Sequence, residues 1–151
     1  MSAHQPDPAA ETIAPDPALE AAALQAGLSA ATARGLARGA AIYQAGYFWE
    51  AHEAWEGAWL LETDAPRALL QGLIQVAAAF HKSLVQLQPG GCVRLLTLAL
   101  EKLAPLGASS GGVDVAAVRA GAERALGLAV AWKAGQGSPP GRADAPVIRA
   151  G

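Results

Sequence analysis

Hydrophobic side chains recur every three or four residues through the middle of this chain, a spacing typical of amphipathic helices. Strict alternation of apolar and polar residues between turn signals, the pattern of a half-buried strand, is not found. The periodic stretches are interrupted at glycine, proline and capping residues. The pattern predicts an all-α fold: a compact bundle of about five helices, arranged as two αα-hairpins with tetratricopeptide-like pairing plus a closing helix.

Capping residues place the ends of these helices. Ser29 is a suitable N-cap for the first helix, and Gly46 ends it as a C′ glycine does. Asp64 and Pro66 are expected to open the third helix, and Asp114 to cap the fifth. The five predicted helices cover about residues 30–45, 47–61, 64–88, 92–103 and 115–133.

Composition divides the chain into three parts. Residues 1–18 contain four prolines among small side chains, which bury too little apolar surface to offset their ordering entropy. We therefore expect a flexible arm there, a single helical domain over residues 19–134, and a flexible tail over residues 135–151. Within the domain, residues 89–91 predict a turn and residues 105–112 a loop.

Charge and length narrow the classes of function. The chain has 151 residues, about one domain, and a net charge of −2 without a basic block, which argues against a nucleic-acid partner. Its apolar runs are shorter than the roughly 18 residues that span a bilayer, so we expect no membrane partner. The first residues do not resemble a secretory signal, and the single cysteine has no disulfide partner. These features predict a cytoplasmic protein.

The densest chemistry lies in the second predicted helix. Residues 47–62 hold three of the four tryptophans, one of the three histidines and four of the thirteen acidic residues. Small residues occupy the opposite side of the helix, which we expect to face the first helix, while the aromatic side covers the third. Six side chains fall within about 120° of arc: Phe48, Trp49, His52, Trp55, Glu56 and Trp59.

His52 and Glu56 lie one helical turn apart, so both can ligate one metal ion, with His81 as a candidate third ligand. The spacing matches neither the His-Glu-x-x-His helix of zinc proteases nor the Glu-x-x-His repeats of di-iron bundles, and we assign no metal site. Two other interpretations stay open. The pair can be a buried histidine hydrogen-bonded to a carboxylate, or an acid–base pair for which the sequence offers no recognisable nucleophile.

The third predicted helix carries a narrow polar stripe that includes Gln71 and Gln75. A solvated face explains most of this stripe, with Gln71 as the expected exception because it lies beside apolar residues. The upper half of the stripe can face His52 and Glu56.

Several of these segments together resemble the domain of unknown function family 309, small and mostly prokaryotic all-helical proteins. The matching residues are Gly46-Tyr47-Phe48-Trp49-Glu50-Ala51-His52-Glu53, Trp55-Glu56, Trp59, Leu70-Gln71-Gly72-Leu73-Ile74-Gln75, Leu95-Leu96, Ala99-Leu100, Leu103 and Gly112-Val113-Asp114-Val115. The resemblance spans about Leu36 to Leu126 and departs from the family pattern at Trp49. It implies an all-α fold and no established activity, and its motif residues carry over as His52, Glu53, Trp59, Gln71 and Gln75.

The leading hypothesis is a protein that binds a small ligand or ion in a polar pocket between the second and third helices. The expected ligand-binding residues are His52, Glu53, Glu56, Trp59, Gln71 and Gln75. One alternative is a helical-hairpin scaffold for protein interactions, and another is a metal-dependent hydrolase. The cofactor is unknown, the partner is a small molecule or a protein, and the chain can form a homo-oligomer.

Overall fold

A computed structural model describes residues 6–151, so the first five residues of the predicted arm lie outside the described part. Six α-helices dominate the fold, which confirms the all-α prediction. They are α1 (Pro17–Gln25), α2 (Ala30–Gln44), α3 (Phe48–Trp59), α4 (Asp64–Leu84), α5 (Pro89–Leu103) and α6 (Val115–Lys133). Strands β1 (Ser109–Ser110) and β2 (Val113–Asp114) form a small antiparallel hairpin before α6, with β1 inside the predicted loop and β2 directly after it. Within residues 6–151, no helix is long and apolar enough to cross a membrane.

Three of the predicted helix ends are confirmed by their capping geometry. The Ser29 hydroxyl accepts a hydrogen bond from the backbone N–H of Thr32 at 3.2 Å. Gly46 has a φ of 94°, the left-handed conformation that a C′ glycine adopts most readily. The Asp114 carboxylate accepts from the N–H of Ala117 at 3.0 Å and starts α6. Each of these caps depends on residues within one helical turn, which is why the local sequence predicts them.

Two helix starts differ from the prediction. Thr63 occupies the N-cap position of α4, whereas Asp64 is its first residue and has a φ of 55°. Asp64 therefore does not act as the cap. Helix α5 begins at Pro89, so residues 89–91 form its first turn and not a separate turn. Proline fits this position because its fixed φ is helical and its missing N–H has no helical acceptor there.

Helix α1 is an element that the sequence pattern did not predict. The Asp16 carboxylate accepts from the N–H groups of Ala18 at 3.0 Å and Leu19 at 3.3 Å, and Pro17 occupies the first turn. Leu19 and Ala23 are buried. The predicted boundary between arm and domain thus falls inside a capped helix, because an Asp-Pro pair starts helices as readily as it marks a linker.

Residues 135–151, named the C-terminal segment here, lie against the bundle, whereas their composition predicts a tail. The Tyr43 hydroxyl donates to the Pro146 carbonyl at 2.8 Å, and the Ser83 hydroxyl donates to the Pro140 carbonyl at 2.6 Å. Ala150 forms a β-bridge with Val113. The two hydroxyl partners lie 103 and 57 residues away in sequence, which explains why composition alone does not reveal these contacts.

Trp55 joins α3 to α2. Its side chain is fully buried, and its indole N–H donates to the Leu36 carbonyl at 3.0 Å. A Cβ atom added at Gly39 would lie 2.3 Å from the indole nitrogen, so the absence of a side chain there creates the space that the ring occupies. We expected the aromatic side of α3 to cover the next helix, but this tryptophan packs on α2 because α2 carries the glycine notch.

Helices α3 and α4 run antiparallel. Phe48, at the start of α3, packs on Phe80 near the end of α4, with ring centroids 5.5 Å apart. At the other end, the Arg67 guanidinium lies 3.9 Å from the centroid of the Trp59 ring. This orientation decides which polar residues of α4 lie beside which residues of α3.

The first prediction concerns the buried indole. Replacing Trp55 by alanine is expected to reduce the free energy of unfolding by about 3–5 kcal/mol, because a large cavity remains and the indole hydrogen bond to the Leu36 carbonyl is lost. Chemical denaturation measures the loss. Leu60→Ala is the control, since Leu60 is 70% exposed and its loss is expected to cost at most about 0.5 kcal/mol. A loss below about 1 kcal/mol for Trp55→Ala would contradict the buried placement.

The second prediction concerns the glycine notch. Gly39→Ala is expected to destabilise the protein by about 1–3 kcal/mol, because the added methyl group meets the indole ring. Gly127→Ala in α6 is the matched control: among the described residues, nothing lies within 4 Å of its added Cβ. The control should stabilise the protein by up to about 1 kcal/mol, since alanine favours a helix interior. Equal effects of the two substitutions would show that the notch is not tightly filled.

Candidate functional site

His52 and Glu56 form a pair at the margin of the α3–α4 interface. The Nε2 atom of His52 lies 3.5 Å from Oε2 of Glu56. The imidazole side chain is 19% exposed, whereas the carboxylate side chain is 52% exposed. Protein therefore covers most of the histidine, whereas the carboxylate is open to solvent. The pair is intermediate between a buried pair and a surface pair.

The orientation of the His52 imidazole is fixed by Trp49. The two rings are stacked, with centroids 5.0 Å apart and planes inclined by 25°. The Nδ1 atom is buried and has no hydrogen-bond partner among residues 6–151, so Nε2 is the nitrogen that faces Glu56. Trp49 also contacts the buried His81, at a centroid distance of 5.0 Å, and so links both imidazoles to one indole.

A groove of about 460 Å³ opens along the outer side of α3. We name it the acidic groove. Its lining residues are Trp49, His52, Glu53, Glu56, Gly57 and Leu60. Glu53 is exposed, one turn before Gly57, and together with Glu56 it gives the groove two carboxylates. In the described part of the chain, no lysine or arginine lines this groove.

The other predicted site residues lie elsewhere. Trp59 and Gln71 line a second groove of about 290 Å³ with Arg67 and Lys102. Gln75 is buried, and its Oε1 atom has no hydrogen-bond partner among the described residues. The structure thus brings His52, Glu53 and Glu56 together, separates Trp59 and Gln71 from them, and places Gln75 in the interior.

The predicted pocket of His52, Glu56 and Gln71 is therefore not assembled as one cavity. The antiparallel course of α3 and α4 is the reason, because it brings the first turns of α4 to the Trp59 end of α3. The expectation that Gln71 alone leaves the solvated stripe was also wrong: Gln75 is buried, whereas Gln71 is partly exposed.

The metal interpretation lacks a complete ligand set. Across residues 6–151, no group of three or more histidine, cysteine, aspartate or glutamate side chains could hold a metal ion. His52 and Glu56 supply two adjacent groups, while His81 is buried against Trp49 and does not complete them. This geometry gives no support to the proposed set of His52, Glu56 and His81.

Two further reactive side chains are buried away from the groove. Burial raises the pKa of the Cys92 thiol to about 11, so it stays protonated near neutral pH and is a poor nucleophile. Cys92 therefore packs as a small apolar residue. Burial also raises the pKa of the Tyr43 hydroxyl, which remains a hydrogen-bond donor.

Sequence reasoning missed three contributors to these grooves. Trp49 was noted as aromatic but not as the residue that orients His52, although their separation of three positions places them on adjacent turns of α3. Leu60 and Arg67 were not considered, because each lies at a helix end where the periodic pattern stops.

No curated protein matches the chain. The family model described as Domain of unknown function (DUF309) matches residues 36–95, from within α2 to within α5. The match includes the Trp55 contact with α2, the His52–Glu56 pair and both glutamines of α4, and it confirms the resemblance identified from the sequence over residues 36–95. Residues 36–95 of this chain are therefore similar to the DUF309 family.

Proposed function

We propose that this protein binds an organic cation in the acidic groove, with an ammonium or guanidinium group against the carboxylates and an apolar part against the groove wall. The observation that carries the proposal is the position of Glu53 and Glu56. Both are exposed, both line one groove with His52, and no lysine or arginine lines that groove within the described residues.

Charge complementarity favours a cation. Two carboxylates on one helix face repel each other unless a positive group lies between or beside them. The chain as a whole is nearly balanced, with eleven basic and thirteen acidic residues, so the groove is a local negative region and not part of a general acidic surface. A ligand cation supplies the missing partner.

The apolar wall favours an organic cation over a bare metal ion. Trp49 offers an indole ring on a partly exposed residue, and Leu60 offers an aliphatic side chain that is 70% exposed. An aromatic face also attracts cations directly. His52 serves as the positioning residue, because its imidazole lies 3.5 Å from the Glu56 carboxylate and is itself fixed by stacking on Trp49.

A second candidate function is the recognition of a partner protein. Leu60 and Leu61, at the end of α3, are 70% and 66% exposed. Two neighbouring leucines of this exposure next to an acidic groove fit a segment that carries a lysine or arginine beside apolar side chains. In this second function the cation site is the same, but the cation belongs to a lysine or arginine of the partner protein. It corresponds to the helical-hairpin scaffold for protein interactions that the sequence suggests as an alternative.

The remaining alternatives have less support. A metal-dependent hydrolase needs a further ligand beside His52 and Glu56, as well as a nucleophile or activated water. Cytoplasmic localisation and tetratricopeptide-like pairing stay predictions from the sequence.

The third prediction tests the cation site. Phenethylamine, which is cationic at pH 7, is expected to bind with one-to-one stoichiometry in isothermal titration calorimetry, and the neutral phenethyl alcohol much more weakly. Glu53→Gln and Glu56→Gln are each expected to weaken binding by about threefold to tenfold, because exposed charge pairs contribute on the order of 1 kcal/mol. Binding should also weaken with added salt.

Glu123→Gln provides the matched control, since Glu123 is an exposed residue on α6 and should leave the affinity unchanged. His52→Ala is expected to weaken binding, and His52→Gln to restore part of it by keeping a side-chain donor beside Glu56. Equal affinity for the amine and the alcohol, or equal effects of Glu56→Gln and Glu123→Gln, would refute the cation site.

The fourth prediction separates the two candidates. A peptide of sequence Leu-Lys-Leu with blocked ends is expected to bind more tightly than phenethylamine if the partner is a protein. Leu61→Ala should then weaken peptide binding without changing the affinity for phenethylamine, because Leu61 does not line the acidic groove. Leu60→Ala should weaken the binding of both ligands, because Leu60 belongs to the groove wall. Fluorescence anisotropy of a labelled peptide measures this difference, and a peptide affinity no higher than that of the amine would reject the protein candidate.

A further inference from the structure

A second cavity, of about 370 Å³, lies between the C-terminal segment and the adjoining ends of α2 and α3. Tyr43 and Gln44 contribute to it from α2, and Phe48 contributes from the first turn of α3. The opposite wall consists of residues 145–149, with Arg142 at one end. Its volume lies near the lower end of the range for small-molecule sites, roughly 300–1,000 Å³.

Hydrogen bonds hold the wall of this cavity in place at both ends. At one end, the Tyr43 hydroxyl donates to the Pro146 carbonyl at 2.8 Å, and Arg142 donates to the Gln44 carbonyl at 3.1 Å. At the other end, the N–H of Asp114 donates to the Arg149 carbonyl at 2.9 Å. A wall fixed in this way does not have to be ordered by the ligand, which lowers the entropic cost of binding.

The floor of the cavity is apolar. The rings of Tyr43 and Phe48 meet edge to face, with centroids 5.1 Å apart, and both residues are buried. The Tyr43 hydroxyl is already bound to Pro146, so the residue presents its ring and not a polar group to the cavity. Ile148 adds a buried aliphatic side chain to the opposite wall.

The charged groups around the cavity are mainly positive. Arg142 and Arg149 line it together with one carboxylate, that of Asp16. Asp16 keeps its negative charge, but its Oδ1 atom accepts hydrogen bonds from two N–H groups at the start of α1. Arg149 pairs with Asp114 at 3.5 Å, but its side chain is 62% exposed, and such a pair contributes little stability. Its guanidinium can therefore change partner at low cost.

From this arrangement we infer a second binding site, independent of the acidic groove, for a small organic anion with an apolar body. The carboxylate of the ligand lies at Arg142 and Arg149, and its apolar body lies on Tyr43 and Phe48. Guanidinium groups suit this class because they bind carboxylates through paired, charge-assisted hydrogen bonds. An aryl carboxylate can pair with the arginines of the rim and also pack on the aromatic floor, whereas an inorganic anion can pair with the arginines alone.

The test uses benzoate as the probe with the full chain, by isothermal titration calorimetry and by thermal unfolding. Benzoate is expected to bind one-to-one and to raise the melting temperature, and neutral benzamide to bind at least about tenfold more weakly. Arg142→Gln and Arg149→Gln are each expected to weaken benzoate binding by about tenfold. Arg94→Gln, an exposed substitution on α5, is the matched control and should bind as the wild type does.

Arg142 also donates a hydrogen bond to the Gln44 carbonyl, so its replacement can disturb the fold. Far-UV circular dichroism of each variant must therefore show an unchanged fold. Arg149→Gln tests the charged rim without affecting that hydrogen bond. The inference is overturned if benzoate shows no saturable binding up to about 10 mM, if benzamide binds equally well, or if folded Arg149→Gln retains the full affinity. None of these results affects the acidic groove, whose carboxylates lie outside this cavity.

Discussion

The hydrogen bond from the Trp55 indole to the Leu36 carbonyl, made through the notch at Gly39, sets the rotation of α3 in the bundle. A ring inserted against a neighbouring backbone leaves little freedom to turn, because the polar N–H must keep its partner once it is buried. With Trp55 directed at α2, a residue about 60° away on the helix, such as His52, falls at the edge of the buried face. Glu56, about 100° away, falls in solvent.

This rotation explains why the site is half buried. His52 keeps its imidazole between Trp49 and the protein interior, while Glu53 and Glu56 open outward into the acidic groove. If α3 instead directed the middle of its aromatic arc at α4, the Glu56 carboxylate would lose water without a cationic partner, at a cost of several kcal/mol. The glycine notch thus favours one orientation of α3. In this orientation the indole packs against α2 and the carboxylates stay hydrated.

The sequence predicts the parts of this fold whose causes are local. Ser29, Gly46 and Asp114 act within one turn, and the helices that they limit were predicted closely. Features that depend on distant partners were missed. Pro146 is an example, because its carbonyl accepts a hydrogen bond from Tyr43 while the residues around it in sequence resemble a linker. Helix α1 was missed for another reason, since Asp16 and Pro17 carry a start signal that a proline-rich composition obscures.

The candidate site shows the same division. Helical periodicity correctly placed His52 and Glu56 one turn apart on one side of α3, because both belong to one helix. It could not decide which residues of α4 lie opposite them, since that depends on the register between two helices. Gln71 and Gln75 were therefore assigned to a shared pocket that the packing does not form. Gly39 was a usable signal, because a glycine inside a helical pattern often marks a close packing contact, but the pattern does not say which side chain fills the space.

The net charge of the chain is near neutral, but two of its surfaces carry charges of opposite sign. The acidic groove and the cavity beside Arg142 and Arg149 draw on adjacent residues, Trp49 and Phe48, in the first turn of α3. Any change that rotates α3 must alter the wall of the groove and the floor of the cavity together. A substitution at Trp55 therefore cannot distinguish the two sites, whereas exposed charges on their rims can. The two proposed sites differ physically in these charged rims, whereas the buried indole fixes the orientation of α3 on which both sites depend.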